Sequence, residues 1–170
     1  GALCNDAQFE ITGKKIKVIG DPTEAALIIS AEKADLKREN LERSEPRVDE
    51  ISFTSERKMM TTIHKTKKGL VSYTKGAPDI ILELCHKILI DGKVYRLERG
   101  KKKEILEYNE LFASRALRVL GFAYKPEARG KEDAEKDMIF IGLQAMIDPP
   151  RAEVKEAIKG ARRLRLSYLL

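Results

Sequence analysis

The chain is poor in the side chains that build metal centres and disulfide frameworks. Its 170 residues include two cysteines, Cys4 and Cys85, and two histidines, His64 and His86. The cysteines form no CxxC pair, and the histidines lie at no spacing typical of a zinc site. We therefore expect no metal ion, and we expect both cysteines to be reduced and buried, as is typical of a cytosolic protein.

Long apolar segments are also missing. No apolar run approaches the roughly 20 residues that a membrane-spanning helix needs. The opening residues, GALCNDAQFE, contain neither a basic segment nor a long apolar one, so they do not resemble a signal peptide. These features predict a cytoplasmic location.

The common catalytic motifs are absent as well. The sequence contains no Walker-type phosphate loop, no G-x-G-x-x-G dinucleotide motif and no G-x-S-x-G nucleophile elbow. Carboxylates are plentiful but scattered, so their spacing selects no acid–base pair. We therefore predict no catalytic residue, and the residues favour a binding module over a complete enzyme.

The composition is that of one globular domain with a basic balance. Hydrophobic residues make up 42% and charged residues 35%, with both signs mixed along the chain. The net charge of +6 favours an anionic partner, and nucleic acid, a nucleotide or an acidic neighbouring domain all fit.

Local patterns predict an α+β fold, a mainly antiparallel β-sheet flanked by helices. A helix is expected over 20–34, with Asp21 as N-cap and Glu24 placed to close a capping box. Residues 47–75 alternate like strands, and Asp91-Gly92 is typical of a hairpin turn. Hairpins outnumber β-α-β units, which favours antiparallel pairing.

The remaining segments are assigned in the same way. Residues 34–46 are expected to form a solvated helix and a loop, and 80–84 a short apolar helix. A helix is expected over 101–116, with Ile105, Tyr108 and Phe112 on one stripe. Two more strands are expected, over 117–124 and 138–147. A basic C-terminal helix is expected over 151–170, after a Pro-Pro boundary.

Lys75 and Gly76 stand at the end of a strand in the stretch SYTKGAPD, residues 72–79. One interpretation is a plain strand-to-helix turn. The other is a ligand that approaches the backbone at Gly76 while the Lys75 ammonium reaches toward its negative end.

Other residues suit an adenine nucleotide, which needs a flat apolar wall, a hydrogen-bond acceptor and cations. Phe53 can stack on the base, unless it is a core residue. Glu24 can accept from the adenine amine, unless it only closes the capping box. Lys58 can reach phosphate from the next strand, unless it is simply an exposed lysine. Arg118, set in an apolar strand, is placed for a bidentate phosphate contact.

Six fragments occur together and in this order: CND, GDPTEAAL, FTSERKMM, YTKGAPD, SRALRVLGFAY and FIGLQAMIDPPR. Each is short, but the ordered set is highly specific. It resembles the nucleotide-binding domain of P-type ATPases of the cation-pumping class, which includes calcium, sodium/potassium and proton pumps. The resemblance covers about residues 3 to 158.

The resemblance implies a role for each matching residue. Phe53 matches the aromatic that stacks on adenine, and Glu24 matches an acidic residue near the base. Arg118 matches an arginine near the phosphates. Lys75 and Gly76 match the floor of the pocket, where a small residue lets the base approach. Lys58 and Met60 match residues that line the same pocket, and Leu120 completes the Arg-x-Leu pair with Arg118.

The resemblance also implies ATP as the ligand, with magnesium expected in the full-length pump. The domain would hold adenine and present the γ-phosphate to an aspartate in a separate phosphorylation domain. The family's Asp-Lys-Thr-Gly motif is absent, so this chain is expected to bind ATP without hydrolysing it. Ser55 stands where the family often has an arginine, which predicts weaker phosphate contact.

The expected partners are ATP and the phosphorylation and membrane domains of the same pump, at the cytoplasmic face of a membrane. Residues 1–147 are predicted to form the nucleotide-binding domain. Residues 148–170 are expected to begin a phosphorylation-domain segment or to form a divergent tail, since 159–170 does not resemble the family's continuation. The isolated chain is expected to be monomeric.

Two other functions fit parts of the sequence. A freestanding adenine-nucleotide-binding regulatory protein would keep the pocket without the pump. A nucleic-acid-binding module would use the basic clusters KTKKG, RGKKK and ARRLRL, but no aromatic residues are interleaved with these clusters, and we therefore predict no nucleic-acid partner.

Overall fold

The structure, a computed structural model, describes residues 1–12 and 15–147. Its main feature is a seven-stranded sheet with the strand order β3-β4-β5-β8-β9-β6-β7, beside a two-stranded sheet, β1-β2. All neighbouring strands pair antiparallel except β6 and β9, which are parallel. The predicted α+β fold, with a mainly antiparallel sheet and flanking helices, is confirmed.

The N-terminal segment forms a hairpin that the sequence interpretation leaves unassigned. Strand β1 spans Gln8–Thr12 and strand β2 spans Lys15–Ile19. Helix α1 follows at Pro22–Glu32 and helix α2 at Arg38–Ser44, in agreement with the predicted helical regions.

Three strands then run back and forth along one side of the sheet. They are β3 (Arg47–Thr54), β4 (Met59–Thr66) and β5 (Gly69–Gly76). Strand β3 is an edge strand. The tight connection between β4 and β5 lies within residues 65–69, and Gly69 has a positive φ of 123° there.

Helix α3 (Pro78–Glu83) begins directly after β5, and β6 (Cys85–Ile90) and β7 (Lys93–Arg96) form the next hairpin. The turn between these strands contains Asp91 and Gly92, with φ values of 49° and 76°. Left-handed conformations at both central positions are those of a two-residue hairpin, as predicted from this dipeptide.

The last described elements complete the centre of the sheet. They are helix α4 (Arg99–Ser114), strand β8 (Leu117–Ala128) and strand β9 (Met138–Ile147). Strand β9 inserts between β8 and β6, which joins the two hairpin regions into one sheet. The helix predicted after residues 149–150 lies outside the described residues.

Helices cover both faces of the sheet. Lys75 contacts helix α1 through Glu24, whereas a side chain at Gly121 would meet Pro78 and Ile81 of α3. Gly121 pairs with Gly76, the strand neighbour of Lys75, and adjacent strand residues point to opposite faces. Helices α1 and α3 therefore lie on opposite sides.

The main hydrophobic core lies on the α3 side. Its buried members include Met59, Ile81, Leu82, Cys85, Ile88, Ile105, Ala123, Met138 and Phe140. Burying a large apolar side chain contributes roughly 1.5–3 kcal/mol, so this cluster supplies much of the driving force for folding.

The stripe predicted for α4 is only partly buried. Ile105 is buried in the core, but Tyr108 is 50% exposed and contacts Phe112 with a ring separation of 6.5 Å. Leu106 packs against the core beside Ile105 instead. The helix therefore buries a narrower face than its apolar spacing predicts.

No helix among the described residues is long and apolar enough to span a membrane.

Candidate functional site

A cavity of about 600 Å³ lies at one end of the sheet. Its walls come from the start of α1, the β3–β4 turn, the end of β5 and the start of β8. The cavity brings together every predicted site residue except Met60: Glu24, Phe53, Lys58, Lys75, Gly76, Arg118 and Leu120.

Phe53 lines this cavity from the end of edge strand β3 and exposes 58% of its surface. The alternative prediction of a core phenylalanine is therefore wrong. The β3–β4 ladder is irregular here, because Ile51 pairs with Thr61 but Thr54 pairs with Met59. An exposed ring at a cavity wall can offer its face to a planar ligand.

Lys58 is predicted on the strand after Phe53, but the structure places it in the β3–β4 turn, directly before β4. Its backbone N–H donates to the Thr54 carbonyl at 2.8 Å, and its φ of 53° is left-handed. The side chain is exposed and lines the cavity. The turn therefore holds an exposed cation near Phe53, and Lys58 forms no ion pair with any of the described residues.

Glu24 and Lys75 form a nearly buried ion pair at the cavity floor, with side chains 16% and 9% exposed. The Lys75 ammonium also donates to the Cys4 carbonyl at 2.6 Å. The other carboxylate oxygen of Glu24 accepts from the Asp6 N–H at 3.0 Å. The capping box predicted for Glu24 is therefore wrong, because tertiary partners occupy its carboxylate.

Gly76 lines the cavity, but the protein's own backbone explains why it has no side chain. A Cβ atom there would lie 2.5 Å from the Lys58 carbonyl oxygen and 2.6 Å from Met59 Cβ. Gly76 pairs directly with Met59, and the Ala77 N–H donates to the Lys58 carbonyl at 3.0 Å. The glycine therefore allows β5 and the β3–β4 turn to approach closely.

Arg118 extends from β8 to the start of α1, where its Nη1 donates to Thr23 Oγ1 at 2.5 Å. Asp21 is the N-cap of α1, since its carboxylate accepts from the Thr23 N–H at 2.6 Å. Partial burial of Asp21 opposes ionisation, but the hydrogen bonds from Thr23 and the charge of Arg118 lower the pKa of Asp21. The cavity mouth thus holds an exposed cation beside an anion.

Apolar surface lines the cavity between these charges. Leu120 lines it together with Val119 and Ala77. Met60 is 2% exposed and is not among the lining residues, but it pairs with Lys75 across the β4–β5 ladder. It therefore supports the floor of the cavity from the packed interior.

Four lining residues were not predicted as site residues: Asp21, Thr23, Ala77 and Val119. Each directly neighbours or lies close to a predicted residue in the fragments GDPTEAAL, YTKGAPD and SRALRVLGFAY. Their positions within these fragments could have identified them as candidate lining residues.

A second cavity of about 580 Å³ lies near the β4–β5 turn, at the opposite end of these strands. Its lining includes Tyr73, whose hydroxyl donates to Glu45 Oε2 at 2.6 Å, and burial together with this carboxylate raises the pKa of Tyr73.

Within the described part of the chain, no group of three or more His, Cys, Asp or Glu side chains is placed to hold a metal ion.

The chain is similar to part of cation-transporting ATPases from several bacteria. It is 38% identical over 172 residues to calcium-transporting ATPase 1 of Lactococcus lactis subsp. lactis (strain IL1403), covering 99% of this chain and 19% of that protein. It is 42% identical over 159 residues to calcium-transporting ATPase 1 of Bacillus cereus (strain ATCC 10987 / NRS 248), covering 92% of this chain and 18% of that protein.

A third relative is the cation-transporting ATPase pma1 of Synechocystis sp. (strain ATCC 27184 / PCC 6803 / Kazusa), 42% identical over 164 residues. That match covers 93% of this chain and 18% of the relative. The chain therefore spans less than a fifth of the length of these relatives.

The α+β fold is consistent with the cytoplasmic domain N of P-type ATPases. The family model described as P-type ATPase, cytoplasmic domain N, matches residues 1–153, and the chain belongs to this family. The predicted family and the predicted cytoplasmic location are confirmed by this match.

Proposed function

We propose that this chain is the ATP-binding domain of a P-type cation-transporting ATPase. It holds adenine in the cavity beside Phe53 and presents the γ-phosphate to an aspartate in a separate phosphorylation domain. The observation that carries the proposal is the exposure of Phe53, 58%, on a cavity wall that also contains Lys58 and Arg118.

The apolar part of the cavity suits a nucleobase. A volume of about 600 Å³ lies within the usual range of small-ligand sites. Phe53 supplies an exposed ring, and Leu120 and Val119 supply aliphatic surface. The carboxylate of Glu24 retains lone pairs beyond those used by Lys75 and Asp6, so it can also accept from an adenine amine.

The charged part of the cavity suits phosphates, but incompletely. Lys58 and Arg118 are exposed cations, whereas Lys75 is already paired with Glu24. Asp21 beside Arg118 opposes an incoming anion. Ser55 supplies no charge where the family often has an arginine. We therefore expect ATP to bind this chain with a dissociation constant of about 0.1–3 mM, or about −3.5 to −5.5 kcal/mol.

The phosphorylated aspartate, the membrane domain and magnesium belong to the proposed parent pump. The chain spans less than a fifth of each of the three relatives described above, two of which are named as calcium-transporting ATPases, so transport is a property proposed for a longer protein. Magnesium would accompany the phosphates of ATP, near Lys58 and Arg118 and away from the apolar wall.

A residue-resolved NMR titration with ATP, ADP and AMP tests the proposal. All three nucleotides should shift backbone signals of the cavity segments, with millimolar-range affinity. Inorganic triphosphate should shift the signals around Lys58 and Arg118 and leave those of Phe53 unchanged. Shifts confined to the second cavity, or none at several millimolar nucleotide, would contradict the proposal.

A further inference from the structure

The backbone around Phe53 lacks a regular ladder. Between the pairs Ile51–Thr61 and Thr54–Met59, two residues of β3 oppose a single residue of β4. Ser52 and Phe53 therefore lie in a bulge on an edge strand. A bulge redirects a side chain but leaves its backbone short of ladder hydrogen bonds, so other groups must fix its orientation.

Arg57 supplies such a contact from the β3–β4 turn. Its Nη1 donates to the Ser52 carbonyl at 3.0 Å, directly beside Phe53. Its Nη2 donates to Glu135 Oε1. The guanidinium thus connects the bulge to the loop between β8 and β9, and a planar fork with two partners holds its geometry better than a single contact does.

Glu135 is itself held in place. The same Oε1 accepts from Thr61 Oγ1 at 2.6 Å, and Thr61 Oγ1 lies 2.9 Å from Thr74 Oγ1. Both threonines are buried in the centre of the β4–β5 ladder. Strands β4 and β5 therefore hold Glu135 in place, and Glu135 in turn holds Arg57.

The rest of the β8–β9 loop is anchored to the same region. The Ser72 hydroxyl donates to the Ala134 carbonyl at 2.6 Å, and Lys131 forms an ion pair with Asp49 of β3 at 2.8 Å. The loop thus braces the edge strand from the face opposite Lys75, at positions that do not line the nucleotide cavity.

We propose that Glu135 is a positioning residue that holds Phe53 ready for the adenine through Arg57 and the Ser52 carbonyl. This inference rests on the proposed function of the cavity. A ring whose orientation is fixed before binding loses less conformational freedom when the base stacks on it. Removing the Glu135 carboxylate frees Arg57 and lets the bulge sample other orientations.

The test is a double-mutant cycle between Glu135 and Phe53, measured by NMR titration of this chain. Glu135→Ala should weaken ATP and AMP by the same factor, about 3- to 10-fold, the range for ordering one side chain. Inorganic triphosphate, which has no base, should bind unchanged. In a Phe53→Ala background, Glu135→Ala should have no further effect, because the ring through which it acts is gone.

Matched variants separate positioning from general destabilisation. Asp133→Asn alters the same loop, but Asp133 contacts Lys125 and the Arg129 N–H and does not contact Arg57, so nucleotide affinity should stay at the parent value. Glu135→Gln retains an acceptor oxygen and should lose less affinity than Glu135→Ala. If Glu135→Ala does not fold, Arg57→Ala replaces it in the cycle with the same expected pattern.

A measurement without ligand keeps this inference distinct from the proposed function. The Phe53 ring signals of the free chain should shift in Glu135→Ala and remain at parent positions in Asp133→Asn. Unchanged ring signals, or a full Glu135→Ala effect in the Phe53→Ala background, would overturn the positioning role alone. A parent chain that binds neither ATP nor AMP would overturn the proposed function and the adenine role with it.

Discussion

Phe53 offers its ring to the solvent at a position where an edge strand bulges. If it stacks on adenine, Phe53→Ala should weaken ATP, ADP and AMP alike by about 1–3 kcal/mol, the range for losing one stacked base. Isothermal titration calorimetry measures the three affinities. The matched control is Tyr95→Ala, which removes a 50% exposed aromatic from the other edge strand and should leave them unchanged.

Circular dichroism should show both variants folded, since neither aromatic ring is buried. A folded Phe53→Ala protein that binds all three nucleotides as tightly as the parent would remove the main support for an adenine site. Equal losses in Phe53→Ala and Tyr95→Ala would indicate a general effect of removing surface aromatics.

Arg118 should act on phosphates and not on the base. Arg118→Ala should weaken ATP by about 1–2 kcal/mol, typical of a charge-assisted hydrogen bond at the surface, and AMP by less. Added salt should reduce this difference, because screening acts on charges, while the Phe53 contribution persists. Affinities at two ionic strengths give the comparison.

Arg96→Ala is the control for charge alone, because it removes one exposed cation from β7, at the edge of the sheet away from β3. If both arginine variants weaken ATP equally, the effect comes from net charge. If Arg118→Ala weakens AMP as much as ATP, the residue acts on the base or on the fold.

Residue types in the site were predictable, but their contacts were not. The fragments around Phe53 and Lys75 indicated a nucleotide cavity, and the structure groups these side chains at one place. Glu24 was expected to cap its own helix, yet its partners, Asp6 and Lys75, are distant in sequence. The spacing of residues along a helix predicts only partners that are near in sequence. It therefore cannot predict the distant partners of the Glu24 carboxylate.

At the scale of elements, the close approach of β5 to the β3–β4 turn depends on Gly76. Gly76→Ala places a Cβ within 2.6 Å of Met59 Cβ and within 2.5 Å of the Lys58 carbonyl, so the backbone must shift. We expect a loss of about 1–3 kcal/mol in the free energy of unfolding, as for other overpacked sites. Urea denaturation measures it.

Gly142 provides the matched strand position. It lies in β9, and an added Cβ there would meet no atom within 4 Å. Gly142→Ala should therefore be neutral or slightly stabilising, because alanine restricts the unfolded chain more than glycine does. A Gly76→Ala protein as stable as Gly142→Ala would show that the turn relaxes without cost.

Elements with strong local signals were predictable, and weaker ones were not. The Asp91-Gly92 turn requires left-handed backbone at both positions, which few other dipeptides adopt readily, and the hairpin forms there. Strands β1 and β2 pair with each other alone and form no part of the main sheet, and they went unassigned. For α4, tertiary packing selected Ile105 and Leu106 over the full apolar stripe.

At the scale of the whole molecule, the order of strands depends on pairings that no local pattern encodes. Strand β9 lies between β8, its neighbour along the chain, and β6, from which it is separated in the chain by β7, α4 and β8. The β6–β9 pair is also the one parallel pair among the described strands. Antiparallel hairpins were predictable from turns, whereas this insertion follows from the shared core of α3, β6 and β9.

The cavity walls come from four segments far apart in the chain: α1, the β3–β4 turn, β5 and β8. A ligand bound among them requires all four to be assembled, so its binding is linked to folding. At about ten times its dissociation constant, ATP should add about 1.4 kcal/mol to the free energy of unfolding. The midpoint of thermal unfolding should then rise by about 3 to 6 °C for a domain of this size.

The same linkage makes each nucleotide a reporter of the intact fold. AMP, at the same multiple of its own dissociation constant, should raise the melting temperature by the same amount in differential scanning calorimetry, because only fractional saturation enters the relation. A nucleotide that shifts NMR signals but leaves the melting temperature unchanged would be bound equally by folded and unfolded chains. Because the cavity walls come together only in the folded chain, even a ligand of modest affinity should stabilise the whole domain.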